Sequence, residues 1–235
     1  MLKSRLCIAF FAFAVGCAPA QKPLTDYVNP MLGTATLWDS VDLGFKPTKR
    51  TWGAEVFPGS SLPNAMVQVS PVTKFHRGAG YQYEDSVIYG FTHTNKGHWN
   101  LCHIPLLPVT GTPTPGDYCS PFSHERESAA PGYYQVFLDR YGVDAQLSST
   151  LRCAFHKYTY PAGAAASLLA DLQRSNEHVR AWDIRKEGDN VFAGWQQTGE
   201  KMYFYAVANR PVTGIEPVVE GDREVRIVRF GEGDG

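Results

Sequence analysis

Short runs in which apolar and polar residues alternate, each ended by glycine, proline, aspartate or asparagine, recur along most of the chain. Alternation with a period of two arises when a strand buries one face, whereas an amphipathic helix repeats its apolar residues about every 3.6 positions. No long run has the helical period. The pattern therefore predicts an all-β fold, a large antiparallel β-sandwich. At 235 residues with 43% hydrophobic content, the chain can bury the core of one such domain.

Several strands can be assigned individually. The segment Ala65–Thr73 is predicted as a strand that Pro71 stops. Tyr133–Leu138 and Val143–Ser148 are predicted to form a hairpin whose turn is Asp139-Arg140-Tyr141-Gly142. The stretch Ala162–Ser175 has helical propensity, but it lies between strand-like flanks and is predicted as a strand.

The first 20 residues have the composition of an export signal. Lys3 and Arg5 precede the apolar run Leu6–Gly16, and Ala18-Pro19-Ala20 fits a cleavage site with small residues. The apolar run is too short to span a bilayer, which takes about 20 residues in a helix. Residues 1–20 are therefore predicted to be a signal peptide of an exported protein, periplasmic or extracellular.

A second interpretation of the same segment stays open. Ala14-Val15-Gly16-Cys17 is similar to a lipobox, in which Cys17 would be lipidated. The signal would then end before Cys17, and the protein would be anchored to the bacterial outer membrane. Free secretion and lipid anchoring are both compatible with the sequence.

The last residues of the sequence predict an unfinished hairpin. Arg223–Phe230 alternates like a strand, and the glycine-rich stretch 231–235 after it resembles a turn with no following strand. The expectation is therefore that residues 24–235 form one domain that is truncated at its C-terminal end.

Charge and cysteine content exclude some classes of function. With 22 basic and 23 acidic residues, a net charge of -1, the chain has no excess of positive charge with which to bind nucleic acid or an anionic membrane surface.

Beyond the signal, Cys102, Cys119 and Cys153 allow at most one disulfide. A bridge between Cys102 and Cys119 is one option, and buried cysteines without a bridge are the other.

Carboxylates do not form a persuasive catalytic pair. Glu84 and Asp85 are adjacent on a predicted strand, so their side chains would point to opposite faces. Glycosidic cleavage instead needs two carboxyl groups that flank one bond. Other acidic residues lie in predicted turns or edges, where they are expected to be solvated: Glu125, Glu127, Asp139 and Asp144.

The segment Ile88–Gly111 is rich in polar and aromatic residues but contains no carboxylate. In a regular helix or strand, the side chains of His93, His98 and His103 would point in different directions, so a zinc site made of them is not favoured. A calcium site would need several oxygen ligands, usually carboxylates, which this segment lacks. Hydroxyl-binding polar groups and a flat tryptophan ring fit recognition of a sugar better. In the alternative, the tryptophan closes the end of the sandwich and the polar groups face water. The predicted substrate-binding residues are His93, Asn95, Lys96, Gly97, His98 and Trp99.

Several ordered motifs together resemble the amino-terminal domain of glycoside hydrolase family 92, the calcium-dependent exo-acting α-mannosidases. The similarity extends over nearly all of residues 26–235. The motifs that carry it are Tyr27–Thr34, Phe57–Thr73, Gly80–Thr94, Leu106–Gly111 and Phe122–Pro161.

This resemblance implies a sandwich of the glycosidase N-terminal supersandwich type, followed in the full enzyme by an (α/α)6 barrel. The general acid, the general base and most calcium ligands of the family belong to that barrel, so no catalytic or metal residue is expected in this chain. The loop at His93–Trp99 would form part of the wall around a terminal mannose.

Two functions from different classes follow. The first is the substrate-cleft domain of a secreted bacterial α-mannosidase, which hydrolyses terminal α-mannosides of glycans such as N-glycans with inversion and is inactive without its barrel. The alternative is a stand-alone carbohydrate-binding β-sandwich module without catalysis.

Overall fold

A computed structural model describes residues 22–36, 44, 56–76, 78–96 and 99–231. The predicted signal peptide with Cys17 and the last four residues of the sequence lie outside these ranges. In this part of the chain no helix is long and apolar enough to cross a membrane.

Over the described residues the chain forms eighteen strands and two short 3-10 helices, Leu24–Tyr27 and His124–Arg126. The all-β prediction is confirmed. The strands are β1 (Ser60–Ser61), β2 (Gln68–Val72), β3 (Val87–Ile88), β4 (Gly90–Thr92), β5 (Asn95–Lys96), β6 (Trp99–Asn100), β7 (Leu106–Thr110), β8 (Ser120–Pro121), β9 (Glu127–Ala130), β10 (Tyr133–Leu138), β11 (Val143–Ser149), β12 (Ala154–Thr159), β13 (Ala166–Ala170), β14 (Ala181–Gly188), β15 (Val191–Gln197), β16 (Lys201–Val207), β17 (Val212–Glu220) and β18 (Arg223–Phe230).

The described strands pair antiparallel in three main sheets. A central sheet has the order β1-β2-β4-β7-β13-β18-β17, a second has the order β12-β11-β10-β9, and a third has the order β14-β15-β16. Two small pairs, β3 with β8 and β5 with β6, complete the arrangement. The last described strand, β18, is paired on both sides, and β17 is the edge of the central sheet.

The larger hydrophobic core lies between the central sheet and the four-stranded sheet. Each large apolar side chain that is fully buried here contributes about 1.5–3 kcal/mol to folding. The central sheet contributes Val69, Phe91, Leu107, Leu169 and Ile227, and the four-stranded sheet contributes Tyr134, Val136, Leu138, Val143 and Leu147.

A second core covers the opposite face of the central sheet. Leu168 and Val228 of that sheet pack with Ile184 and Phe192 of the three-stranded sheet. The central sheet is therefore buried on both faces. This explains why β13 does not alternate between apolar and polar residues, since every residue of Ala166–Ala170 is buried and only Ser167 is polar. The strand predicted within 162–175 is confirmed.

The predicted hairpin of β10 and β11 is also confirmed. Its register pairs Tyr134 with Leu147 and Leu138 with Val143. Buried and half-buried residues alternate along both strands, because only one face of the four-stranded sheet packs on the core. Gly142 in the turn has a φ of 63°, a left-handed conformation that costs glycine little.

Two local predictions are wrong. Pro71 does not stop a strand but lies inside β2, opposite Phe91 of β4. The short strand β1 pairs only with Gln68 and Val69, so Pro71 has a neighbouring strand on one side only, which tolerates a missing N–H. Glu84 and Asp85 lie outside the strands, in the connection that precedes β3.

Cys102, Cys119 and Cys153 form no disulfide with one another, and only Cys102 is buried, while Cys119 is half-buried and Cys153 is exposed. The thiol of Cys102 is buried and hydrogen-bonds to Thr92, and this burial raises its pKa above the ordinary value.

Candidate functional site

The polar loop singled out from the sequence contains a short hairpin between β4 and β7. Its strands β5 and β6 pair antiparallel, with Asn95 opposite Asn100 and Lys96 opposite Trp99. For these four residues the structure describes the backbone, and Gly97 and His98 lie outside the described residues. Sugar binding by Asn95, Lys96, Gly97, His98 and Trp99 therefore stays a prediction.

His93 lies just before this hairpin, and hydrogen bonds hold its side chain between Ile104 and His156. Its Nδ1 lies 2.9 Å from the carbonyl oxygen of Ile104, and its Nε2 lies 3.0 Å from Nε2 of His156. The His156 Nδ1 lies 2.7 Å from the hydroxyl of Tyr158. A carbonyl only accepts, so His93 donates from Nδ1 and accepts at Nε2 from His156, which in turn accepts from Tyr158.

Both imidazoles of this pair are neutral at neutral pH. Burial lowers the pKa of His93 to about 4. Burial, and then the neighbouring His93, lower the pKa of His156 well below its usual value. The pair therefore acts as an uncharged hydrogen-bonded link between the hairpin and β12.

His103 fixes the other end of the hairpin through a second chain of hydrogen bonds. Its side chain is only 3% exposed. The Nδ1 atom lies 2.8 Å from Oγ1 of Thr94, and Nε2 lies 3.1 Å from both Oε2 of Glu177 and Oγ1 of Thr198. Because the carboxylate accepts, His103 donates from Nε2 to Glu177 and accepts at Nδ1 from Thr94. Burial lowers the pKa of His103 despite the nearby Glu177 charge.

The backbone after the hairpin is held in an uncommon conformation. Cys102 and Ile104 both have a φ of 54°, which costs non-glycine residues on the order of 1–3 kcal/mol each. The Asn176 N–H donates to the carbonyl of Leu101 at 2.9 Å, and the Ile104 N–H donates to Oε1 of the fully buried Gln196 at 2.8 Å. These two hydrogen bonds hold the backbone at Leu101 and Ile104, and so stabilise the uncommon conformation of this stretch.

Comparison with known proteins identifies the domain. Residues 27–228 match the glycosyl hydrolase family 92 N-terminal domain. The chain belongs to this family. A comparison of this family 92 domain with curated proteins gives no match.

Solved structures give the same picture. The family 92 domain is similar to the GH92 α-mannosidase BT3965 from Bacteroides thetaiotaomicron, with 25% identity and a TM-score of 0.76 over 90% of this chain. A structure of that enzyme in complex with mannoimidazole matches with 24% identity and a TM-score of 0.74, again over 90% of this chain. The inverting mannosidase BT2199 from Bacteroides thetaiotaomicron VPI-5482 shares the fold, with 22% identity and a TM-score of 0.70 over 92% of this chain. The chain spans about a third of the length of these structures, 32%, 31% and 31% respectively.

The described residues of the family 92 domain do not fit a calcium site. Within the ranges that the structure covers, no group of three or more histidine, cysteine, aspartate or glutamate side chains is placed to hold a metal ion. Around the hairpin, the ring nitrogens of His93, His156 and His103 are already used in hydrogen bonds. Calcium also prefers oxygen ligands, most of them carboxylates.

One carboxylate that was expected to be solvated is buried. The side chain of Glu127 is only 1% exposed and accepts hydrogen bonds from the hydroxyls of Tyr81 and Tyr134 and from Nδ1 of His124. Burial and then the Glu127 charge raise the pKa of both tyrosines well above the usual range. The prediction of a solvated Glu127 is wrong because β9 turns this side chain toward the core.

Sequence reasoning missed most of the groups that support the hairpin. The alternation within β12 does place His156 and Tyr158 on one face, so that signal was available. No local pattern marks Glu177, Gln196 or Thr198, since their contacts with His103 and Ile104 join segments 74 to 95 residues apart.

Proposed function

We propose that this domain forms part of the substrate cleft of an α-mannosidase that hydrolyses terminal α-mannosides of glycans with inversion. The family 92 match over residues 27–228 carries this proposal. The relative solved with mannoimidazole supports mannose as the sugar, and the inverting mannosidase of the same fold supports inversion. The hairpin formed by β5 and β6, fixed at both ends, is the part of the domain that contacts the sugar.

The general acid, the general base and most calcium ligands come from a second, (α/α)6 domain of the full protein. The family resemblance supports this division, as does the third of the relatives' length that this chain spans.

Export is part of the same proposal. A basic segment, an apolar run and a small-residue cleavage site within residues 1–20 support a signal peptide, and the lipobox-like sequence before Cys17 supports a lipid anchor. The mass of the mature N-terminal peptide distinguishes the two, because only the anchored form begins with an acylated Cys17.

The experiment uses the full-length protein and an aryl α-mannoside. Trp99→Ala is expected to raise KM by about 3- to 10-fold, the effect of losing one aromatic contact. The control Phe155→Ala removes an exposed aromatic ring from β12 and is expected to leave KM unchanged. A full-length protein that does not hydrolyse α-mannosides, or an unchanged KM in Trp99→Ala, would overturn the proposal.

A further inference from the structure

A half-exposed carboxylate lies beside the hairpin. The side chain of Glu177 is 43% exposed, while its neighbours His103 and Thr198 are buried. The residue before it, Asn176, donates its backbone N–H to the carbonyl of Leu101, which directly follows β6. Glu177 therefore lies at the surface next to the strand that carries Trp99.

The carboxylate of Glu177 is held in one orientation. The Thr198 hydroxyl donates to Oε2 at 2.7 Å, and Nε2 of His103 donates to the same oxygen at 3.1 Å. The Ser175 hydroxyl oxygen accepts the Glu177 N–H at 2.8 Å, which fixes the backbone as well. A surface glutamate normally samples several rotamers, so this one is pre-organised at a cost in side-chain entropy.

One oxygen of this carboxylate retains acceptor capacity. A carboxylate can accept about four hydrogen bonds, and both described side-chain donors reach Oε2. A sugar presents hydroxyl donors, and hydrogen bonds to an ionised acceptor are about twice as strong as neutral ones. A fixed, partly exposed carboxylate next to β6 is thus suited to recognise a sugar hydroxyl.

We propose that Glu177 is a further substrate-binding residue, whose carboxylate accepts a hydrogen bond from a hydroxyl of the sugar at the hairpin. His103 and Thr198 are positioning residues that aim this carboxylate. The inference rests on the proposed function, because it takes the sugar bound at the hairpin to be the substrate.

Substitutions in the full-length enzyme test this contact. Glu177→Gln keeps an acceptor oxygen for His103 and Thr198 but replaces the charged acceptor with a neutral amide. It is expected to raise KM for an aryl α-mannoside by about 3- to 10-fold with kcat within about twofold, and Glu177→Ala by about 10-fold or more. The matched control Glu200→Gln changes an exposed carboxylate in the turn after Thr198 and is expected to leave KM unchanged.

Deoxy substrates identify the contact itself. For the monodeoxy mannoside that lacks the hydroxyl bound by Glu177, Glu177→Gln is expected to cause no further rise in KM, since the two losses remove the same hydrogen bond. For the other deoxy mannosides the effect of the substitution persists.

The failure of this inference is distinguishable from failure of the proposed function. A Glu177→Gln enzyme with wild-type KM, together with a Glu177→Ala enzyme that only melts at a lower temperature, would overturn the substrate contact. If Trp99→Ala raises KM in the same series, the proposed function stands without Glu177. If the wild-type protein has no activity on α-mannosides, the proposed function itself fails.

Discussion

At the scale of single residues, the hairpin depends on histidines that carry no charge. His93 and His156 share a hydrogen bond between their Nε2 atoms at 3.0 Å, which requires that one imidazole accepts. Protonation of both rings would place two donors face to face. The lowered pKa values of both side chains express this cost, with burial as the main cause.

The free energy of unfolding is expected to fall as the pH decreases from about 6.5 to about 4. The pKa of His93 is about 4 in the folded protein and 6.5 without burial, so the unfolded chain binds more protons in this window. At 1.36 kcal/mol per pKa unit, His93 alone accounts for about 3 kcal/mol of this loss. Urea unfolding of the protein at several pH values between 7.5 and 4 measures it.

Two variants serve as test and control for this pH dependence. The double variant His93→Gln with His156→Gln removes both imidazoles and is expected to lose the part of the pH dependence that comes from this pair, whereas the contribution of the buried His103 remains. His178→Ala removes an exposed histidine and should retain the full pH dependence. Equal pH dependence in the double variant and the wild type would show that this histidine pair is not its source.

At the scale of elements, Gln196 joins three segments beneath the hairpin. This fully buried side chain of β15 accepts from the Ile104 N–H and donates through Nε2 to the carbonyls of Leu172 and Arg174, both at 2.9 Å. It therefore links β15, the stretch after the hairpin and the connection between β13 and β14.

Gln196→Leu is expected to lower the free energy of unfolding by about 3 kcal/mol or more. The substitution has a similar size but leaves three backbone groups without their partner, each costing about 1–3 kcal/mol. The matched control Gln197→Leu changes the next residue of β15, which is half-buried and points to the opposite face, and should have a small effect. Chemical denaturation measures both, and equal losses in the two variants would contradict the assigned role of Gln196.

The sequence predicted elements well where their burial produces a simple pattern. β10 and β11 alternate because one face is covered, and their predicted bounds match the structure to within one residue. The strand β13 was harder to predict because both faces are covered, so its small and apolar residues do not alternate with polar ones and also suit a helix. Pro71 misled the prediction of β2, since its position beside the short β1 depends on a neighbouring strand that local sequence does not reveal.

Only the part of the candidate site that is continuous in sequence could be predicted, because local sequence does not reveal contacts between distant segments. The composition of residues 93–99 directs attention to the hairpin, because its polar and aromatic residues are adjacent in sequence. The groups that hold it come from distant strands and connections. Glu177 is 74 residues from His103, and such a contact has no spacing that a single sequence can display.

At the scale of the whole molecule, the three layers leave an aromatic face uncovered. Along β16, Met202 and Phe204 pack on the second core, while Tyr203 and Tyr205 point outward and are 72% and 69% exposed. Trp195 of β15 lies opposite Tyr203 in the register, and the Lys201 ammonium lies over both of these rings. Exposed patches of this kind mark sites of interaction.

The isolated domain is expected to bind the hydrophobic dye ANS and to be poorly soluble, because this face is open to solvent when the domain is alone. The double variant Tyr203→Thr with Tyr205→Thr should reduce ANS fluorescence by about half or more if the patch is the main binding surface. The control Arg185→Thr with Glu187→Thr changes exposed charged residues of the same sheet and should not reduce it. In the full-length protein a second domain that covers the face would suppress the signal. A soluble isolated domain that melts sharply and binds no ANS would contradict this account of the exposed face.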